Sequence, residues 1–188
     1  SNLTEEEAFA AEASLINAFN YVSDARLTNI VAGHHSAEAL SVDEYERING
    51  AVELEEKDIK HRILVIKINR LYQKSMDDKV LYDAVRGVWR ASKEKVKTVE
   101  YVFGVYNSLI VAVYKPSEWF VCKEAKDRLP RQDIVLTPKT ENRLFFVDER
   151  YEQGFPLDEN ESFYIGKSIA GLKLNQSAQN PITYLNPR

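Results

Sequence analysis

A carboxylate lies within an apolar stripe near the start of the chain. Ala8, Glu12, Leu15 and Phe19 are spaced i, i+4, i+7 and i+11, so on a helix they share one face. A glutamate on such a face lowers stability unless it is paired, protonated or bound to a cation. The spacing leaves two interpretations of Glu12: a ligand for a divalent metal ion, or a side chain at the edge of the stripe that reaches water.

Three further residues have side chains that are suited to metal binding or nucleophilic chemistry. His34 and His35 could be metal ligands, but adjacent histidines on a loop point in different directions, which favours an ordinary polar loop. Cys122 ends an apolar run and has no histidine beside it in sequence, which favours a core residue over a nucleophile. A single cysteine excludes an internal disulfide and indicates a reducing compartment, so we expect a cytoplasmic protein.

The element that would carry Glu12 is a helix over Thr4–Phe19. Thr4-x-x-Glu7 has the pattern of a capping box, which marks its first turn. A second short helix is predicted from Ser41 to Ile48. The charged residues 51–60 lack a clear period and read as a linker, so we place a domain boundary near residue 58. The predicted domains are therefore 1–57, a partial helical segment, and 58–188.

The second domain is predicted to be α+β, built on a small mixed sheet. The nearly continuous apolar run within His61–Asn69, formed by Ile63, Leu64, Val65, Ile66 and Ile68, predicts a central strand. A helix capped by Ser75 and a short basic helix at Ser92–Thr98 follow, and then a hairpin that turns at Asn107-Ser108. The remaining predictions are strands at Trp119–Cys122, Arg143–Asp148 and Pro181–Leu185, an exposed loop at Asp127–Asn142 and a short helix at Asp158–Tyr164.

Residues 5–36 contain the string EEEAFAAEASLINAF and then RLTNIVAGHHS. This pattern resembles the C-terminal part of GIY-YIG nucleases, nearest to the branch associated with LEM-domain proteins. In that family a helix carries E-a-x-L-I, and a Leu-Thr-Asn-x-x-x-Gly stretch follows. The resemblance places the family's metal-binding glutamate on Glu12, with Leu15-Ile16 beside it, and matches Leu27-Thr28-Asn29 and Gly33 to the later stretch. It implies that Glu12 binds Mg²⁺ or another divalent metal in the complete protein.

The catalytic tyrosines and arginine of that family come before this glutamate, and no segment of the chain matches them. One carboxylate can hold Mg²⁺ through waters, but it cannot alone position and activate the attacking water. The chain begins Ser-Asn and has one methionine, Met76, so we expect a piece of a longer protein with functional residues upstream. The parent would be an endonuclease, whereas the chain by itself is expected to be inactive.

The second domain resembles an accessory domain that occurs beside such nucleases in bacterial proteins. The segments that carry this resemblance are Arg86-Gly87-Val88-Trp89-Arg90, Val105-Tyr106-Asn107 and Ala178-Gln179-Asn180-Pro181-Ile182. The predicted strand order is similar to that of PUA-like modules, including EVE-type readers of modified bases, which take a flipped base into an aromatic-lined pocket. The resemblance implies nucleic-acid-binding roles for Arg86, Trp89, Arg90, Tyr106, Trp119 and Asn180, with Tyr114 as a further aromatic candidate.

Both features of this predicted pocket have a simpler interpretation. The aromatic residues could fill the core of a small sheet. Arg86, Arg90, Lys93, Lys95 and Lys97 could contact phosphates, or they could form a solvated basic face.

We therefore expect the C-terminal portion of a GIY-YIG-type, metal-dependent DNA endonuclease, with a nucleic-acid-reading domain and DNA as its partner. The alternative is a non-enzymatic protein- or nucleotide-binding interaction module, which the net charge of −4 favours slightly. The longest apolar runs, such as Leu109–Tyr114, are far shorter than the roughly 20 residues that cross a bilayer, so no membrane partner is expected.

Overall fold

A computed structural model of the protein describes Thr4, Glu7, Ala11, Ser14 and residues 42–131, 133–172, 174 and 181–187. The chain divides into two compact units, Ser1–Asn49 and Gly50–Arg188. Residues 51–57, which we assigned to the first domain, fall in the second unit. The physical reason is Leu54, which is fully buried there and whose amide donates to the Ser168 carbonyl oxygen at 2.8 Å.

In the first unit, the predicted capping box is formed. The Thr4 amide and hydroxyl both donate to one Glu7 carboxylate oxygen, at 2.8 and 2.9 Å, and the Glu7 amide donates to the Thr4 hydroxyl at 3.3 Å. Glu7, Ala11 and Ser14 are helical. Helix α1 spans Val42–Asn49, close to its predicted range. The residues of the metal prediction and of the nuclease resemblance lie outside the described residues: Glu12, Leu15-Ile16, Leu27-Thr28-Asn29, Gly33, His34 and His35.

The second unit has an α+β fold on a mixed sheet, which confirms the predicted fold class. Its strands are β1 Ile63–Lys67, β2 Tyr101–Tyr106, β3 Leu109–Tyr114, β4 Glu118–Val121, β5 Leu144–Val147 and β6 Ile182–Leu185. The main sheet has the order β3-β2-β1-β6, in which β1 and β2 are parallel and the other two pairs antiparallel. Strands β4 and β5 form a separate antiparallel pair.

Two helices occupy the crossover between the parallel strands β1 and β2: α2 Asp78–Arg86 and α3 Lys93–Val96. Helices α4 Glu149–Glu152 and α5 Glu159–Tyr164 follow β5. Helix α2 is capped by Asp77, whose carboxylate accepts from the Val80 amide at 2.8 Å, so the prediction of Ser75 as the cap was wrong. Asp77 lies directly before the first helical residue, which is where a cap must be.

The central strand β1 is covered on both faces, as its continuous apolar sequence predicts. Ile63 and Val65 pack into a cluster with Phe103 and Tyr164. The residues that alternate with Ile63 and Val65 along β1 pack on the opposite side of the sheet. They belong to a cluster that includes Val85, Val102 and Phe146. The hairpin between β2 and β3 turns at Asn107 and Ser108, which both have positive φ (44° and 66°), as a two-residue type I′ turn requires.

Gly104 of β2 allows α2 to lie directly on the sheet. A Cβ atom at this position would come within 2.5 Å of Cγ2 of Val85, which is fully buried, and within 3.3 Å of the Ala112 Cβ. A β-branched side chain in a packed core has little freedom to move aside. The missing side chain therefore determines how closely α2, and the chain that leaves it, approach β2.

We predict that Gly104→Ala lowers the free energy of unfolding by about 1–3 kcal/mol, because the new methyl group overlaps Val85. Adding Val85→Ala removes the overlapping atoms, so the double variant should lose less stability than the sum of the two single variants, by roughly 1 kcal/mol. Urea unfolding of the four proteins in this cycle measures the difference. Strict additivity would show that the close approach of α2 to β2 does not limit packing.

Candidate nucleic-acid interface

A groove of about 500 Å³ separates α3 from β4. Its volume lies in the range of roughly 300–1,000 Å³ that is typical of small-molecule sites. Apolar side chains and one aromatic ring form its inner surface, and charged side chains stand at its mouth. The lining residues with a role in the argument are Lys93, Val96, Lys97, Glu118, Trp119 and Glu124.

Helix α3 is held in place by its cap and by one apolar anchor. The Ser92 hydroxyl accepts from the Lys95 amide at 3.4 Å, which satisfies a free donor of the first turn. Val96 is almost fully buried against Val121 and Leu144. Lys93 and Lys97, on either side of this buried residue in sequence, are exposed and line the groove.

Trp119 supplies the aromatic surface of the groove. It pairs with Phe146 across the β4–β5 ladder, and the two ring centroids are 5.2 Å apart. Trp119 as a whole is only partly buried. Its indole Nε1 is buried and has no hydrogen-bond acceptor among the described residues. An unpaired buried donor is uncommon in native structures, where most such groups have a partner.

The charges at the mouth of the groove are mixed in sign. Lys93 Nζ lies 4.0 Å from Glu124 Oε1, and both side chains are more than half exposed, so this ion pair is weak. Glu118 makes no ion pair with any described cation and is exposed. Lys97 is also exposed. The groove thus offers an aromatic face, cationic groups and carboxylate acceptors within one cavity.

Trp89 does not line this groove and serves the fold instead. Its indole N–H donates to the Val85 carbonyl oxygen at 2.7 Å, which satisfies an acceptor in the last turn of α2. Its backbone exchanges hydrogen bonds with Leu144 of β5, at 2.8 and 2.9 Å. Trp89 therefore joins the crossover chain to the β4–β5 pair, and Leu144 in turn lines the groove.

The other residues implied by the resemblance are not brought to Trp119. Tyr106 is buried at the end of β2, with its ring 4.6 Å from that of Tyr72, and Tyr114 is buried in the core. The Arg86 guanidinium is bound to Asp83 at 2.8 Å and stacks over the Tyr82 ring. Arg90 is exposed, beside Trp89. Asn180 lies outside the described residues.

The sequence indicated some of the residues that line the groove and not others. The basic stretch with Lys93 and Lys97 was recognised, and so was Trp119. Glu118 and Glu124 were missed, because isolated glutamates beside a strand have no pattern that separates them from ordinary surface residues. Cys122 is fully buried, and burial raises the pKa of its thiol, so the expected core role agrees with its surroundings.

A second group of ionisable residues surrounds Asp158. Its Oδ2 accepts from the Tyr101 hydroxyl at 3.2 Å and from Arg150 Nη1 at 3.1 Å, and Lys115 Nζ lies 3.6 Å away. The Glu161 amide donates to Oδ1 at 2.8 Å, and the Asp158 amide donates back to Glu161. These carboxylates cap α5 and neutralise cations. Within the described ranges, no set of three or more His, Cys, Asp or Glu side chains is arranged to hold a metal ion.

Burial by itself would raise the pKa of Asp158. The hydrogen bonds from Glu161 and Tyr101, together with Lys115 and Arg150, outweigh it and hold the pKa below its usual range. Burial raises the pKa of the neighbouring Glu161. The two carboxyls therefore respond oppositely to their shared surroundings, because Asp158 receives the cations more closely and Glu161 is the more deeply buried.

No protein-family model, curated protein or solved structure matches this chain. None of the helices in the described part of the chain is both long enough and apolar enough to span a bilayer. The interpretation of the groove therefore depends on its own residues and their geometry.

We predict that Asp158→Asn lowers the free energy of unfolding by roughly 1 kcal/mol near pH 7, because it removes charge-assisted hydrogen bonds. A carboxyl whose pKa is lower in the folded state stabilises above its unfolded pKa of about 4 and loses that contribution as pH falls through the folded value. The difference between wild type and Asp158→Asn should therefore be constant above about pH 5 and shrink below pH 4. Urea unfolding at several pH values measures it, and a difference that grows on acidification contradicts the assignment.

Proposed function

We propose that residues 50–188 form a nucleic-acid-binding module in which an unpaired base stacks on Trp119 while Lys93 and Lys97 contact the neighbouring phosphates. Stacking of bases on aromatic side chains next to a basic rim is the general mode of single-strand binding. The observation that carries the proposal is the position of a partly exposed tryptophan and two lysines on one groove of about 500 Å³. A base occupies only part of this volume, which leaves room for the sugar and phosphate.

The surrounding charges favour a phosphate backbone that runs along α3. Arg90 and Lys95 are exposed on the same segment, in addition to the two lysines of the groove. The Lys95 ammonium lies 5.4 Å from the centroid of the Tyr184 ring, so one side of this basic segment also carries an aromatic group. Residues 90–97 carry four basic side chains and one acidic one, Glu94, so this segment is locally positive although the net charge of the chain is −4.

A second observation favours the alternative of a protein-interaction module. Another groove, of about 650 Å³, lies between α2 and the loop that follows β4. Leu71 and Val80 line it and are 40% and 49% exposed, and Met76 and Leu129 add further apolar surface. Its charged lining residues are three bases and three acids, so charge does not distinguish it from the groove at Trp119, whereas its exposed apolar side chains do. This groove is suited to an apolar segment of a protein partner.

We expect a fluorescent ten-nucleotide dT strand to bind at low salt and to lose affinity steeply between about 50 and 200 mM salt. The double variant Lys93→Gln/Lys97→Gln should weaken binding and reduce the slope of log K against log[salt] by roughly 1.4, since each phosphate contact on a single strand contributes about 0.7. Fluorescence anisotropy across a salt series gives both quantities.

The matched control is Lys60→Gln/Lys139→Gln, which makes the same change in net charge at exposed lysines outside the groove. It should leave the slope unchanged apart from a small general effect. If the strand fails to bind even at low salt, or if both double variants behave alike, the groove is not the interface and the interaction module becomes the better account.

We further propose, on the resemblance of residues 5–36 alone, that the parent protein is a GIY-YIG-type endonuclease with Glu12 as its metal ligand. We expect Glu12→Gln in the complete protein to abolish Mg²⁺-dependent cleavage of DNA while the thermal unfolding temperature stays unchanged, because an amide is a poor ligand for a hard cation. A gel assay of plasmid cleavage tests this. Cleavage that persists in the variant would remove Glu12 from the metal site.

A further inference from the structure

The groove at Trp119 holds acceptors as well as cations, and this combination bears on which base it takes. Glu118 and Glu124 line the same cavity as the tryptophan. A carboxylate at neutral pH can only accept hydrogen bonds, so it favours ligands that present N–H donors. In a site for a polyanion, two carboxylates weaken the general attraction. Their presence is therefore better explained by recognition of a donor group than by binding of the backbone.

Neither carboxylate is neutralised strongly by the protein. The contact between Glu124 and Lys93 is 4.0 Å long, between side chains that are 61% and 54% exposed. Glu118 has no cationic partner in the described part of the chain. Both glutamates keep acceptor oxygens for a ligand.

On these grounds, and resting on the proposed single-strand binding, we infer that the groove prefers guanine over the other bases. Guanine presents two adjacent donors, N1–H and the N2 amino group, which a single carboxylate accepts together. Adenine and cytosine present one amino group beside a ring-nitrogen acceptor. Thymine presents one N–H between two carbonyl oxygens, which a carboxylate repels.

The test compares ten-nucleotide dT strands that carry one central dG, dA or dC with the all-dT strand, by fluorescence anisotropy at constant salt. One guanine in a dT background avoids the structures that runs of guanine form. We expect the dG strand to bind about tenfold more tightly than all-dT, with the other two between them, as is usual for one well-formed base contact.

The variants Glu118→Gln and Glu124→Gln, singly and together, should reduce this preference, measured as the ratio of dG-strand to all-dT affinity for the same protein, to about twofold or less. The control is Glu159→Gln, an exposed glutamate on α5 that does not line the groove, which should keep the full preference. Equal thermal unfolding temperatures of all variants exclude a loss of fold as the cause.

The outcomes separate this inference from the function on which it rests. If all strands bind equally with a steep salt dependence, the single-strand function stands and the guanine preference is overturned. The same holds if the preference persists in the double glutamate variant, since the carboxylates then do not read the base. If no strand binds, both the function and the preference fail.

Discussion

Two backbone hydrogen bonds between Trp89 and Leu144 determine how the second unit is assembled around its groove. The chain leaves α2 on one side of the main sheet, and α2 lies close to β2 because Gly104 has no side chain. Pairing with Leu144 then ties this chain to the β4–β5 ladder before α3 begins. The indole of Trp89 closes the end of α2 at the same point. Helix α3 therefore starts beside β4, and its lysines face the tryptophan of that strand.

The chemistry of the groove follows from this arrangement. The burial of Val96 fixes the position of α3. The charged residues next to it in sequence lie at the groove. Trp119 packs against Phe146, which orients its ring, and the residue remains partly accessible to solvent. A tryptophan whose ring is oriented by packing would lose little conformational freedom on stacking with a base, which is the binding mode we propose.

The sequence predicted the elements much better than their mutual positions. The apolar run of β1, the turn at Asn107-Ser108 and the short basic helix within Ser92–Thr98 follow from local rules and appear where expected. Trp89 and Trp119 are both partly buried, and only tertiary packing pairs the backbone of one with Leu144 and places the other on the groove. Residues 51–60 were interpreted as a linker because they are charged and lack a clear period, yet Leu54 is fully buried.

The most direct test of the central claim uses the two tryptophans of the chain, because each gives one indole N–H signal in a two-dimensional ¹⁵N NMR spectrum. Trp89→Phe assigns the signals. On titration with a short single strand at low salt, the account predicts that the Trp119 indole signal shifts with the bound fraction, while that of Trp89, bonded to Val85 inside the fold, stays in place. A strand that binds to saturation and leaves the Trp119 signal unmoved would contradict the account.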